Sequence, residues 1–279
     1  MRITVALAVT ASLTVLSACD QTSMGPSGPP QPISDAVYVL PDGDAPAITM
    51  AAWQDGGMVQ SAAGMNAGKA PSHATTYSAK QANWPTGRVR VMTFEKASGG
   101  VLHPITDETL LYVLAGTARV RVGGSTVSLT AGDVVSHPSG ALRNAGMAAD
   151  ATIITWTAPS LTGETTPTYV KGEDVEEGGF GSIALKRYQF PGNSVRAVKL
   201  AAGGNTNANK AATDSLIYIT GGLMTFHQNG QDFVVTEGDF VREIAGLEHF
   251  WDVTADSGFV TTSGLPLGME QIDPDKATD

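Results

Sequence analysis

The sequence contains a single cysteine, Cys19, among its 279 residues. A disulfide framework is therefore excluded, and stability must come from the burial of apolar side chains. Charged residues make up only 16% of the chain, and no cluster of lysine and arginine interrupts the sequence. Because 27 acidic residues face 17 basic ones, the composition argues against partners that are nucleic acids and against adhesion to anionic lipid.

Long apolar runs are also missing, apart from one short stretch near the amino terminus. This run extends from Ile3 to Leu16, follows a basic residue and ends at small residues, so it is too short to span a bilayer and is typical of an export signal. The sequence Leu-Ser-Ala-Cys ending at Cys19 resembles the bacterial lipoprotein box. The resemblance implies a lipid anchor on Cys19 and a place in the bacterial cell envelope, facing the periplasm or the exterior. The alternative is an ordinary cleavage site with a chance cysteine beside it.

An internal repeat dominates the rest of the chain. A shift of 106 residues places Gly116 on Gly222 and Gly132 on Gly238 without a gap. This period is too long for a solenoid repeat and fits duplication of a whole domain. The protein is therefore expected to contain two related units in tandem.

Each unit alternates apolar and polar residues over short runs, as in the segments 89–94 and 118–122. This period of two predicts strands of about five residues with one solvated face. Gly123-Gly124 and Asn229-Gly230 each separate two such runs, and both pairs predict a type I′ hairpin turn. The sequence thus indicates an all-β protein made of sandwiches or small barrels.

The glycine framework narrows the fold. Residues 111–116 and 131–140 of the first copy, and 217–222 and 237–246 of the second, resemble the cupin superfamily. The resemblance implies an all-β bicupin with tandem jelly-roll (double-stranded β-helix) barrels, each with a pocket in its mouth. The predicted domains are, in order, a lipoprotein signal peptide (1–18), a lipidated cysteine and flexible tether (19–36), an amino-terminal barrel with an extension (37–158), a connection (159–182), a carboxy-terminal barrel (183–268) and a tail (269–279).

The metal-ligand positions depart from the pattern that the resemblance implies. In the order of that pattern the first copy carries His103, Ile105, Thr109 and Arg143, and the second carries Asn209, Ala211, Ser215 and His249. One imidazole in each barrel is a poor donor set for a transition metal, so we predict no metal and no cofactor. Glu108 and Asp214 stand one residue away from a ligand position, and only a β-bulge would turn them inward. Whether a β-bulge lets Glu108 or Asp214 restore a metal site is left open.

Polar residues at the remaining positions suggest binding in the pockets. His249 is the candidate acid/base or hydrogen-bond donor of the second barrel, or else a relic satisfied by the backbone, and Trp251 is a candidate apolar wall. Asn209 and Ser215 suit a hydroxylated or amide ligand, or an ordered water network in its place.

The first barrel offers a second candidate pocket, formed by His103, Thr109 and Arg143. Arg143 either binds a carboxylate or phosphate group or lies along the rim in water.

We therefore expect a membrane-attached bicupin that binds a small polar or anionic molecule. An isomerase, epimerase or lyase without a cofactor, with His249 as acid/base, is the alternative. A metal-dependent decarboxylase or dioxygenase is opposed by the missing ligands. The identity of the ligand, the inner or outer membrane as location, and a homodimer as the assembled form are left open.

Overall fold

The structure is a computed structural model that describes residues 38–45, 47–48, 77–94, 103–104, 107–139, 142–143, 145–147, 151–158 and 163–263. The described chain is almost entirely β-structure, which confirms the predicted fold class. One short 3-10 helix, Gly172–Asp174, lies between the two copies. None of the described helical structure is long and apolar enough to cross a membrane. The predicted signal peptide, Cys19, the tether and the tail lie outside the described residues.

The strands up to the end of the first copy are β1 (Val39–Leu40), β2 (Ala47–Ile48), β3 (Tyr77–Trp84), β4 (Gly87–Phe94), β5 (His103–Pro104), β6 (Glu108–Ala115), β7 (Thr117–Val122), β8 (Ser125–Thr130), β9 (Val134–His137), β10 (Leu142–Arg143), β11 (Ala145–Met147) and β12 (Ala151–Ala158). Those that follow are β13 (Thr168–Val170), β14 (Glu177–Phe180), β15 (Ile183–Gln189), β16 (Ser194–Leu200), β17 (Asn209–Lys210), β18 (Ser215–Gln228), β19 (Gln231–Thr236), β20 (Phe240–Glu243) and β21 (Glu248–Ser263).

The two copies share one strand order. In the first copy the main sheet runs β13-β9-β6-β12-β4-β3-β2, and in the second it runs β1-β20-β18-β21-β16-β15-β14. The residue pairing follows the sequence repeat, since Leu110 pairs with Ser136 in the first copy and Leu216 pairs with Arg242 in the second. The shift of 106 residues therefore holds in the sheet register as well as in the sequence.

Two strands of the second copy are much longer than the predicted five residues. β18 contains 14 residues and β21 contains 16. Their pairing changes register at several points between Ile219 and Met224, so the strands bend through bulges instead of ending. The prediction of uniformly short strands is wrong for this copy because glycines at 221, 222 and 258 permit that bend.

The two hairpin turns differ from one another. Asn229 and Gly230 both have positive φ, at 54° and 73°, as a type I′ turn requires. In the first copy Gly123 has a φ of 60°, whereas Gly124 lies outside the positive region, which is the pattern of a type II′ turn. The predicted type I′ turn is therefore wrong at Gly123-Gly124, where a glycine in the first position favours the other form.

Among the described residues, apolar side chains form three clusters, one inside each barrel and one between the barrels. Leu111 and Val113 point into the first barrel, and the alternate residues Leu110 and Tyr112 join the cluster between the barrels. That middle cluster also contains Leu216 and other residues of the second copy. Strand alternation thus supplies both a barrel core and an interface from the same strand.

Candidate functional site

The interior of the second barrel changes from apolar to polar along its strands. Ile217 and Ile219 belong to the apolar core of this barrel. Toward the other end of the same strand, Ser215 continues that face and pairs with both Glu243 and Ser263. His249, which stands at the last ligand position of the cupin pattern, pairs with Asn209 across β17 and β21. A polar end of the barrel interior is therefore assembled from several strands.

Glu243 lies at the centre of this polar end. Its Oε1 atom accepts a hydrogen bond from Trp251 Nε1 at 3.0 Å and lies 3.7 Å from His249 Nε2. The His249 side chain is only 4% exposed and that of Glu243 is 13% exposed. The distance to His249 is longer than a hydrogen bond, so the two groups form a loose carboxylate–imidazole pair out of bulk water.

The backbone fixes the tautomer of His249. Its Nδ1 atom lies 3.2 Å from the carbonyl oxygen of Leu247, and a carbonyl can only accept, so Nδ1 carries a proton. The Nε2 atom is thereby turned toward Glu243 and the barrel interior. It can accept a proton there or hold one as an imidazolium beside the carboxylate.

Trp251 forms an apolar wall of the site. It is 2% exposed, and its ring lies 4.6 Å from that of Phe226 and 5.3 Å from that of Phe259, measured between centroids. These rings belong to the interior cluster of the second barrel. Trp251, a candidate apolar wall in the sequence, thus lies against Glu243.

Two arginines of the same interior were not among the predicted site residues. Arg187 and Arg196 pair across β15 and β16, on the face that also carries Val198 and Leu200. Burial lowers the pKa of Arg196 below its usual value, the neighbouring Arg187 lowers it further, and Glu243 acts in the opposite direction. The repeat places Val195-Arg196 on Val89-Arg90. Arg196 lies four residues before Leu200 and therefore on the same face of β16, so strand alternation could have identified it.

Gln228 was also missed, and it lies at the end of β18 in the interior of this barrel. The side chain is 1% exposed, on the same strand face as Phe226. It donates to the carbonyl oxygen of Arg242 at 3.2 Å and accepts from the backbone amide of Ile244 at 2.8 Å. These two bonds hold β20 and the turn after it in place, so Gln228 positions the segment that carries Glu243.

The first barrel presents different chemistry at the equivalent positions. Strand pairing brings His103 next to Arg143, although the side chains of these two residues lie outside the description. Thr109 is buried at 5% exposure, pairs with His137 and lies 3.5 Å from Thr157 between hydroxyl oxygens. Ile105 lies outside the described residues. The residues that complete this pocket are therefore placed only in part.

The two acids next to ligand positions face away from the barrel interiors. Asp214 forms a buried ion pair with Arg242, at 2.6 Å from Oδ2 to Nη2, and accepts from the backbone amide of Ala245 at 2.9 Å. Glu108 lies on the face of β6 that carries Leu110, toward the interface between the barrels. The bulge that would have turned these acids inward does not occur at either position.

The side chains at the ligand positions of the second barrel determine whether a metal ion fits there. Asn209, Ala211, Ser215 and His249 provide one imidazole, and the Glu243 carboxylate lies 3.7 Å from it. Across the described ranges, no three His, Cys, Asp or Glu residues come together in a way that could hold a metal ion. The donor set of this barrel therefore does not fit a transition-metal centre.

An open cleft of about 510 Å³ lies at the other end of β15 and β16, and glycines 181, 221 and 222 contribute to its lining. Ile183 and Leu200 line it, and they pair with each other at the strand ends remote from Arg187 and Arg196. The cleft carries Lys199 and Asp256 but no residue of the Glu243–His249 pair. We place the candidate site at Glu243 and His249, because titratable and polar groups converge there.

Comparison with solved structures decides the fold. Oxalate decarboxylase from Lactobacillus farciminis, in a formate complex, aligns with a TM-score of 0.62 and 11% identity over 84% of this chain and 89% of that one. A cupin 2 conserved barrel domain protein from Leptotrichia buccalis aligns with a TM-score of 0.50 and 14% identity, over 72% of this chain and 94% of that one. The chain folds as a bicupin.

A third solved structure agrees with this fold. The protein Ylba from E. coli aligns with this chain with a TM-score of 0.57 and 16% identity, over 70% of this chain and 85% of that one. No protein-family model matches the sequence, and no curated protein matches it. At these identities the likeness shows the fold, and the function of the bicupin has to be argued from its own residues.

Proposed function

We propose that the second barrel binds a small polar or anionic molecule at its polar end, in contact with Glu243 and His249. The observation that carries this proposal is the carboxylate–imidazole pair, at 3.7 Å and almost shielded from water, beside the aromatic wall of Trp251. Ligand pockets are mostly apolar, and they select their ligand with a few placed polar groups. The second barrel offers both features on neighbouring strands.

The experiment is a binding screen with a matched pair of histidine variants. Small polar and anionic compounds are screened by thermal shift and ranked by calorimetry. His249→Ala is expected to weaken binding by about 1–3 kcal/mol, since a buried polar contact is lost. His227→Ala is the control, because His227 bonds Asp232 and Asp252 on the outer face of the same barrel. Binding that is equally strong in wild type and His249→Ala would refute the proposed pocket.

A second candidate function is acid/base catalysis without a cofactor, as in an isomerase, epimerase or lyase. The fixed tautomer of His249 favours it, because Nδ1 is held by Leu247 and Nε2 is left to exchange a proton inside the barrel. Compounds that bind are incubated in D2O, and solvent deuterium incorporation is followed by proton NMR. His249→Ala should slow such exchange by about 10²- to 10⁴-fold. Binding without any exchange in the wild type would leave the protein as a binding protein.

The proposal includes attachment to a bacterial membrane through a lipid on Cys19, with the barrels facing the periplasm or exterior. It is supported by the Leu-Ser-Ala-Cys sequence at residues 16–19 after a short apolar run. Cys19→Ala should abolish uptake of labelled fatty acid and release the protein from membrane fractions. A substituted protein that still takes up label and still sediments with membranes would contradict the anchor.

A further inference from the structure

Arg187 and Arg196 face each other on paired strands inside the second barrel. The Nε atom of Arg196 is buried and has no hydrogen-bond partner among the described residues. Among the residues that the structure describes, no carboxylate lies within ion-pair distance of the guanidinium of Arg187 or of Arg196. Two like charges thus share a partly dehydrated interior, with at least one donor unsatisfied.

In the first barrel, a side chain of the barrel itself accepts hydrogen bonds from the equivalent arginine. Gln81 and Arg90 occupy the positions equivalent to Arg187 and Arg196, and they pair across β3 and β4. Arg90 donates to the side-chain oxygen of Gln81 from Nε at 2.9 Å and from Nη2 at 2.6 Å. A neutral acceptor therefore faces the arginine in one barrel, and a second arginine faces it in the other.

The paired guanidinium groups of Arg187 and Arg196 favour the binding of an anion in the second barrel. A buried guanidinium that keeps its charge needs an acceptor, and removing it from water without one is costly. Glu243 interacts favourably with Arg196 but already accepts from Trp251 and lies beside His249. The planar fork of arginine is suited to an oxyanion with two oxygens on one side.

We propose that Arg187 and Arg196 form an oxyanion-binding subsite of the second barrel, which holds the carboxylate or phosphate group of the ligand. This inference rests on the proposed function and specifies which end of the ligand binds where. Because Glu243 repels a second negative charge, the anionic end lies at the arginines. A hydroxyl or amino group of the same molecule then faces Glu243 and His249, so the ligand class is a small molecule with one anionic end.

The experiment compares the unmodified protein with Arg187→Gln, the substitution that copies the first barrel. The probes are glycolate and inorganic phosphate at constant ionic strength, with neutral ethylene glycol as the uncharged control. In the wild type we expect Tm to rise by about 3–6 °C at ten times the dissociation constant. Glycolate and phosphate separate the two oxyanion classes, since the stronger rise identifies the preferred group.

Arg187→Gln should lose this rise, while its own Tm without a probe stays level or increases, because the new carboxamide can accept from Arg196. Lys199→Gln is the matched control, since it removes one positive charge from β16 at an exposed position and should keep the rise. Arg187→Lys keeps the charge without the fork, should bind at least about tenfold more weakly, and provides a second variant if Arg187→Gln does not fold. A full response in Arg187→Gln would overturn the subsite.

His249→Ala separates the failure of this inference from the failure of the proposed function. If the response is lost in His249→Ala but intact in Arg187→Gln, the pocket is supported and the arginine subsite is wrong. If both variants respond like the wild type, both proposals are wrong. If only Arg187→Gln loses the response to glycolate, whose hydroxyl is expected to reach Glu243 and His249, the arginine subsite is supported and the role of His249 is refuted.

Discussion

Asp42 donates its backbone amide to the Oδ1 atom of Asp239 at 2.8 Å, which ties the amino-terminal segment to the second barrel. The first barrel repeats this bond, since the amide of Gly172 donates to Asp133 Oδ1 at 2.8 Å. The strands follow the same rule: β1 pairs with β20 of the second copy, and β13 pairs with β9 of the first. Each barrel therefore receives a strand from the segment that precedes the other barrel.

Lysines at equivalent positions strengthen this exchange of segments. Lys80 donates to the carbonyl oxygen of Asp42 at 3.2 Å, and Lys186 donates to that of Gly172 at 2.6 Å. In both copies, therefore, a lysine of one barrel bonds the carbonyl oxygen of a residue whose backbone amide donates to an aspartate of the other barrel. The two barrels are consequently expected to unfold together.

The carboxylate of Asp133 should make stability depend on pH. Burial alone would raise its pKa, but hydrogen bonds from Lys171, Thr130 and Gly172 outweigh this effect and lower the pKa below 3.8. A lowered folded pKa means that the stabilisation is complete above the unfolded value and is lost as the pH falls through the folded value. Urea unfolding at about pH 6 and about pH 3 should therefore show a loss of stability that is smaller in Asp133→Asn.

Asp256→Asn is the control for this measurement, because Asp256 is exposed and accepts a bond only from the amide of Ala202 in the described structure. It should leave the pH dependence unchanged. If Asp133→Asn and wild type lose the same stability on acidification, Asp133 does not supply the linkage.

The exchange of segments could not be predicted from the repeat, although the barrels could. Lys80 and Lys186 obey the shift of 106 residues, but Leu40 lies 40 residues before Lys80, whereas Val170 lies 16 residues before Lys186. The extra length in the first copy breaks the register, so the two segments do not align. The pairing partner of a two-residue strand is set by tertiary contacts, which no local pattern encodes.

The candidate site could also be predicted only in part. His249, Asn209 and Ser215 follow from fixed spacings to the glycines that recur in the repeat, Trp251 follows from its place beside His249, and the structure brings His249 next to Asn209. Glu243 lies in β20 on the same face as Val241 of the barrel core, and it was not predicted because the sequence does not show where this strand ends before the turn. Residues such as Arg187 were missed because a charged residue on an alternating strand is ordinarily interpreted as solvated.

The interface between the barrels should depend on Trp156. Its indole Nε1 donates to the carbonyl oxygen of Leu216 at 2.9 Å, and the residue is fully buried. Trp156→Phe should cost about 1 kcal/mol, at the low end for a lost buried bond, because Thr261 Oγ1 also donates to that carbonyl at 3.3 Å. Trp156→Ala should cost about 3–5 kcal/mol, since it also removes packing. Chemical denaturation checks both values, and equal losses in the two variants would contradict this division.

The ion pair between Asp214 and Arg242 should be essential to the second barrel. Its side chains are 10% and 5% exposed, so Asp214→Ala leaves a buried guanidinium without its carboxylate and should cost about 3–5 kcal/mol. Asp214→Asn should cost less, because the amide oxygen can still accept from Ala245. The exposed pair of Lys199 with Glu177 is the control, and Glu177→Ala should change the unfolding midpoint little. Equal effects of Asp214→Ala and Glu177→Ala would contradict the role of burial.

Transition metals should leave the thermal stability of the protein nearly unchanged. Among the described residues of the second barrel, His249 and Glu243 are the strong donors of the polar end, and Asn209 and Ser215 stand where the cupin pattern has further ligands. A ligand that binds only the folded state at about 100 times its dissociation constant stabilises it by about 2.7 kcal/mol. After treatment with EDTA, added Mn, Fe, Ni or Zn is therefore expected to shift Tm by less than about 1 °C, whereas binding would raise it by several degrees. A rise of that size that disappears in His249→Ala would show that this barrel holds a metal after all, and one that disappears in His103→Ala would assign it to the first barrel.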